Sequence, residues 1–201
     1  MYHGLVKVLL SYALAVGGLG LMIYVVITVL TINLTYPGAR LAMINALRTS
    51  VNQAEYLCRS VPGTFFEAIG AAIKLGAMAG TSDIAIIAQT TRPGFDATVP
   101  MINQKWKSLF GHAKKALLLA AGGVALAISQ KANPALHIIL TVLVLGAAIW
   151  VLIAKLDTER SIVRARAELL PELDRAFAEG RYQKPGDPGP VSTKAQSQSA
   201  W

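Results

Sequence analysis

Charge is scarce in this sequence. Asp, Glu, Lys and Arg make up 15% of its 201 residues, against about 25% in an ordinary soluble domain. So thin a charged surface argues for a bilayer as solvent. Cysteine is scarcer still. Cys58 is the only one, which excludes an intrachain disulfide framework and a cysteine-based zinc site. It reads as a small buried hydrophobe. Arg59 is adjacent, but no histidine is near enough in sequence to activate the thiol.

Catalytic signatures are also missing. There is no Gly-x-Ser-x-Gly, no phosphate loop, and no Gly-x-Gly-x-x-Gly at a strand-to-helix junction. The histidines are His3, His112 and His137, and none has a second ligand three or four residues on. His112 and His137 read as interfacial histidines, with a proton relay as the sharper alternative. No nucleophile, base or metal constellation emerges, so the sequence points to no enzyme and no cofactor.

What the sequence has is long apolar runs. Apolar residues make up 54% and the mean hydropathy is +0.49. Residues 8–34 form 27 consecutive positions without a charge, and about 20 suffice to cross the hydrocarbon core. The run is too long for the core of a cleaved signal peptide, and Asn33-Leu34-Thr35-Tyr36-Pro37 is a poor cleavage context. A second run, 116–130, is short for a span. It follows Lys114 and Lys115, and the helical pattern before it starts at Pro100 with Ile102, Trp106, Leu109 and Ala113 on one face. One helix over about 100–130, its second half in lipid, fits this pattern. A re-entrant segment is the alternative. Residues 136–154 are a clear third span. Drawn this way, no Asp, Glu, Lys or Arg lies inside any span.

The division expected is therefore a first transmembrane helix in 1–35, a helical loop in 36–115, a transmembrane hairpin in 116–154, a helical extension in 155–181 and a disordered tail in 182–201. The fold class is all-α, an integral membrane protein with three transmembrane helices and a helical cytoplasmic region. Within the loop, Ile44, Leu47, Val51, Ala54 and Cys58 recur at helical spacing, and Pro62-Gly63 ends that helix. Thr64-Phe65-Phe66-Glu67 has the spacing of a capping box. Phe66, Ile69, Ile73 and Ala77 form the stripe that follows, and Gly80 closes it. Ser82 or Asp83 caps a short helix, and Arg92-Pro93-Gly94 reads as a turn. In the extension, Val163, Ala167, Leu170, Leu173 and Phe177 share a face, and Pro171 is expected to kink or restart the helix. The tail is rich in Pro, Gly, Ser and Gln.

The net charge of +8 invites a nucleic-acid reading. The basic residues, however, lie mostly beside apolar runs. The loop 36–115 carries nine Lys or Arg and the C-terminal segment eight, while Lys7 and Lys131 are alone in their segments. Positive-inside then places the N-terminus and the hairpin tip outside, and the loop and C-terminus in the cytoplasm. No nucleic-acid partner is expected.

Small residues mark the spans. Ala13, Gly17 and Gly20 fall on one face of the first, Gly122 and Gly123 lie in the second, and Gly146 in the third. Such positions let helix backbones approach closely in lipid.

This layout resembles the MotA/TolQ/ExbB proton-channel family. The shared features are an external-N span, a helical cytoplasmic loop, a span hairpin and a cytoplasmic helical extension, over roughly residues 5–180. Residues 52–80, NQAEYLCRSVPGTFFEAIGAAIKLGAMAG, have the flavour of that family's cytoplasmic helices. The resemblance implies a homo-oligomer in a bacterial inner membrane. It also implies a single-span partner carrying an intramembrane aspartate, and ion transport coupled to work. The family's Gly-Thr-Val stretch is not matched: Gly122-Gly123-Val124 has no following threonine. Thr141 is the one matching threonine of the third span, so Thr141, Leu145 and Ala148 are the expected pore-lining stripe. The alternative is a non-conducting scaffold or accessory subunit of a larger complex, in contact with membrane lipid.

Overall fold

The computed structural model describes residues 2–129 and 134–182, with side chains from Val6 onward. All regular structure among them is helical: α1 (Tyr2–Ile32), α2 (Tyr36–Thr49), α3 (Val51–Ser60), α4 (Phe65–Ala79), α5 (Ile84–Ser129) and α6 (Ala135–Ala178). The chain is an all-α membrane protein. Three helices are long and apolar enough to cross a bilayer: α1, α5 and α6. The expected tail beyond Tyr182, the turn residues 131–133 and the His3 side chain lie outside the described residues.

The short helices begin and end where local chemistry directs. Pro37 sits in the first turn of α2, where a missing N–H costs nothing. The expected helix before Pro62 is divided at Ser50, whose extended backbone ends α2 and whose hydroxyl accepts from the Asn52 N–H at 3.2 Å to start α3. Leu47, Val51, Ala54 and Cys58 are nonetheless all buried. Thr64 and Glu67 cap α4 as a pair, each bond one residue away from that of a regular capping box: Thr64 Oγ1 accepts from Phe66 N–H at 3.2 Å, and Glu67 Oε2 accepts from Gly63 N–H at 2.7 Å. Gly80 ends α4 with φ of +60°, a conformation glycine adopts without strain.

The long helices depart from expectation. Asp83 Oδ1 does accept from Ala85 N–H at 2.8 Å, but the helix it caps runs 46 residues, through Pro93 and Pro100. There is no turn at Arg92-Pro93-Gly94 and no fresh start at Pro100. Both prolines are exposed and seven residues apart on one face. The carbonyls they leave unbonded, four residues earlier, therefore belong to the exposed Gln89 and Asp96 and can bond water. Likewise Pro171 sits exposed inside the unbroken α6. Val163 and Ala167 are exposed rather than buried. Leu170, Leu173 and Phe177 are buried as expected, and Ser161, Ile162, Ala165, Leu169 and Ala176 join them on the inward face, because α6 must there meet α2 and α4 as well as α5.

Both α1 and α6 run antiparallel to α5. A side chain at Gly18 would strike Ala116 O and Ala120 N, and one at Gly123 would strike Ser11 O and Ala15 N. On the other side, Thr141 reaches Ala120, Arg166 pairs with Asp96, and Asp174 pairs with Thr91. This register fixes depth. At 1.5 Å per residue, the part of α5 level with the uncharged stretch 136–154 of α6 is roughly 107–125. Lys114 and Lys115 therefore stand about 10–12 Å from the bundle-side end of that stretch, beside uncharged residues of α6. The sequence divides α5 at its lysines; its neighbours place the apolar layer further down.

Candidate functional site in the span layer

Two glycines bring α1 and α5 to backbone contact. The added carbon at Gly18 would sit 2.7 Å from Ala116 O, and at Gly123 2.9 Å from Ser11 O. Ala15, Ala116, Ala120 and Ala127 complete a buried small-residue seam. Gly122 stands at its margin, where an added carbon would sit 3.9 Å from Leu14 Cδ1. Ala13, Gly17 and Gly20 are on the opposite, exposed face of α1, and nothing lies within 4 Å of either glycine; Gly146 of α6 is equally open. Sequence spacing could not choose between the two faces of α1, because Gly17-Gly18 supplies small residues to both.

Thr141 is half-buried and turned toward α5. Its hydroxyl lies 2.9 Å from His137 O and 3.3 Å from Ala120 O, so it donates to a helix backbone. Leu145 is exposed and Ala148 half-buried. The rest of the outward face of α6 is aliphatic, including Ile138, Ile139, Val142, Leu143, Ile149 and Ile153. His137 is 1% exposed and packs on Tyr12 with ring centroids 4.5 Å apart; neither ring nitrogen has a hydrogen-bond partner. His112 Nδ1 lies 2.9 Å from Ser108 O. A carbonyl only accepts, so Nδ1 is the donor in this contact.

Below the spans, a polar node clamps the α3–α4 turn to α5. Trp106 Nε1 donates to Gly63 O at 3.1 Å, and Lys105 Nζ reaches both Glu67 oxygens at 3.1 and 2.9 Å. Burial pushes the Glu67 carboxyl up, but the Lys105 ammonium and the Gly63 N–H outweigh it and hold Glu67 below its ordinary value. Further along, Thr91 Oγ1 donates to the buried Asp174 Oδ1 at 2.7 Å. Burial raises the Asp174 carboxyl despite Thr91 and nearby Arg92. Cys58 is buried and its thiol is pushed up to about 12, by burial first and Glu55 second. It is a protonated, unreactive thiol at neutral pH. Among the described residues no group of three His, Cys, Asp or Glu is placed to hold a metal ion.

Comparison with known proteins returns nothing: no family model, curated protein or solved structure matches the chain.

Proposed function

We propose that the protein is a stator-like membrane channel subunit. In this reading it sits in a bacterial inner membrane with its N-terminus outside and its charged bundle and C-terminus in the cytoplasm. Several copies surround a single-span partner carrying an intramembrane aspartate, and ion flow is coupled to work. The observation that carries this reading is the continuity of α5 and α6. They pass unbroken from the span layer into the bundle over 46 and 44 residues. The Asp96–Arg166 and Thr91–Asp174 contacts tie them together along the way. Motion imposed in the membrane would reach the far end through two packed rods. The open Ala13/Gly17/Gly20 face and Gly146 leave flat surfaces on which further copies can pack.

A second reading, a non-conducting scaffold, is favoured by one observation. Thr141 already spends its hydroxyl on backbone carbonyls within the protomer. The complex extracted from its own membrane into nanodiscs separates the two. The stator reading expects several copies of this chain by native mass spectrometry, together with a single-span acidic partner. The same complex in liposomes should pass protons, and Thr141→Val should stop that flow without changing the stoichiometry. A monomer, or proton flow indifferent to Thr141→Val, would shift the conclusion to the scaffold.

A further inference from the structure

The outward faces of the three long helices differ. On α1 and α6 the exposed span residues are mostly large aliphatics such as Leu9, Ile23, Ile27, Leu143 and Ile153, with Ala13, Gly17, Gly20 and Gly146 among them and no charge. On α5 the exposed positions include Lys107, Lys114, Lys115, Ala121 and Ala125. Lipid chains suit the first kind of face. They do not suit lysines, since a charge within the hydrocarbon costs several kcal/mol unless it finds water or a counter-charge.

Among the described residues no acidic group supplies one. Every ion pair among the described residues leaves out Lys107, Lys114 and Lys115. Lys105, the next basic residue, is taken by Glu67. Lys114 Nζ instead lies 4.9 Å from the centroid of Phe110, one turn nearer the bundle. That is the direction in which helical side chains lean, toward the N-terminus of their helix. A lysine stem reaches roughly 6 Å, so from about 10–12 Å inside the layer the ammoniums of Lys114 and Lys115 end near the level of Gly111. At Gly111 nothing lies within 4 Å of where a side chain would begin. Lys107 follows one turn below. The result is an open notch on α5, close to the bundle-side boundary, with cations on both sides and an apolar strip above it.

We propose that this notch holds the phosphate of an anionic phospholipid. Lys114 and Lys115 reach down to it, Lys107 flanks it, Gly111 leaves room for it, and the acyl chains lie along Leu118, Ala121 and Ala125. Charge complementarity selects an anion. Depth selects a lipid, because the notch lies only about 6 Å inside the bundle-side end of the apolar stretch, where a headgroup phosphate drawn toward the lysines can reach it, and the strip above it is in hydrocarbon. The inference does not rest on the stator reading.

The test uses the full-length protein in nanodiscs of equal phosphatidylglycerol and phosphatidylcholine. Lipid adducts that survive release are counted by native mass spectrometry. Wild type should retain phosphatidylglycerol preferentially. The variant Lys114→Gln/Lys115→Gln should lose about fivefold of that preference per lysine, and Lys114→Arg/Lys115→Arg should keep it. Gly111→Leu should also lose it with all charges intact. Circular dichroism and elution volume unchanged from wild type show that the variants fold. Equal retention of the two lipids by wild type would overturn the proposal. So would a preference that survives both the glutamine pair and Gly111→Leu. Displacement of the lipid by millimolar inorganic phosphate would assign the notch to soluble phosphate instead. A bound polypeptide released by the glutamine pair, in place of lipid, would assign it to an acidic partner span.

Discussion

The span layer and the bundle below it are built from the same helices and held together differently. In the spans, α1 meets α5 through Ser11, Ala15, Gly18, Ala116, Ala120 and Gly123, and most of the large side chains point away, with Met22, Val25, Val29, Val144 and Val151 the buried exceptions. In the bundle, Phe65, Phe66, Phe95, Ile69, Ile73 and Leu169 fill the centre, and charged pairs such as Asp96–Arg166 and Glu55–Arg59 dress the outside. The contrast follows from the solvent. Lipid tails are as apolar as leucine, so burying leucine between helices gains little, and close backbone approach is what remains. Water rewards burying large side chains, by about 25 cal/mol per Å² of apolar surface. Trp106 marks the seam, apolar body inward and indole N–H bonded to Gly63 O.

If this contrast is right, truncation should hurt most in the bundle and at the seam, and enlargement most in the spans. Trp106→Ala should cost about 3–5 kcal/mol, read as a fall in melting temperature in detergent. Gly18→Leu should come next, toward the upper end of the roughly 1–3 kcal/mol expected of overpacking. It forces a side chain against the Ala116 and Ala120 backbone. Gly17→Leu enters open space and should leave the melting temperature unchanged. Under the stator reading it should still lower oligomer recovery in mild detergent. A Gly17 variant as unstable as the Gly18 variant would break the assignment of faces.

The bundle's polar ties can be tested without removing bulk. Asp174→Ala strips Thr91 of its acceptor and should cost about 1–3 kcal/mol. Asp174→Asn keeps an oxygen for Thr91 and removes a buried charge, so at neutral pH it should be stabilising. The sign follows from the raised Asp174 carboxyl. Its folded form holds a proton more tightly than its unfolded form, so ionisation opposes folding as pH rises above the ordinary carboxylate range. The advantage of asparagine over aspartate should therefore grow with pH from about 4 upward. Equal melting temperatures for the two proteins from pH 4 to 8 would contradict it.

Much of the short-range architecture was legible in the residues. Thr64 and Glu67 announced their helix start, Gly80 its end, and Ile102, Trp106 and Ala113 their buried face. Each of these signals acts within a turn or two of chain. The failures concern what a proline or a lysine does in company. Pro93 and Pro100 read as breaks and Pro171 as a kink or restart, yet neither α5 nor α6 stops there; all three are exposed, where the lost backbone bond can be replaced by water. Gly94 gives the reason α5 continues past Pro93. It is buried against Ala71 O, at 2.9 Å from where a side chain would begin, and tertiary packing holds the helix there. The depth of Lys114 and Lys115 was invisible for a similar reason, because it is set by α1 and α6. The Ala13/Gly17/Gly20 stripe was legible, but its role was not, since Gly18 on the other face packs inside the protomer.

The smallest expected effect is at the node beneath the spans, and its pH dependence has the opposite sign. Glu67 is held below its ordinary value by Lys105 and the Gly63 N–H, against the cost of burial. A carboxyl depressed on folding stabilises the folded state above its unfolded value, roughly pH 4.3, and loses that contribution as pH falls through the folded value. Lys105 is about half exposed, with 48% of its side chain accessible, so solvent screening keeps the ion pair's share below about 1 kcal/mol. Glu67→Gln keeps an acceptor for Gly63 and removes the charge. It should melt slightly below wild type at pH 7 and converge with it as pH falls below about 4. Asp174→Asn, by contrast, should melt above wild type at pH 7 and converge with it over the same acid range. The two variants measured side by side thus approach wild type from opposite sides. A Glu67→Gln difference that persisted at low pH would show that the residue acts through shape and its bond to Gly63 rather than through charge.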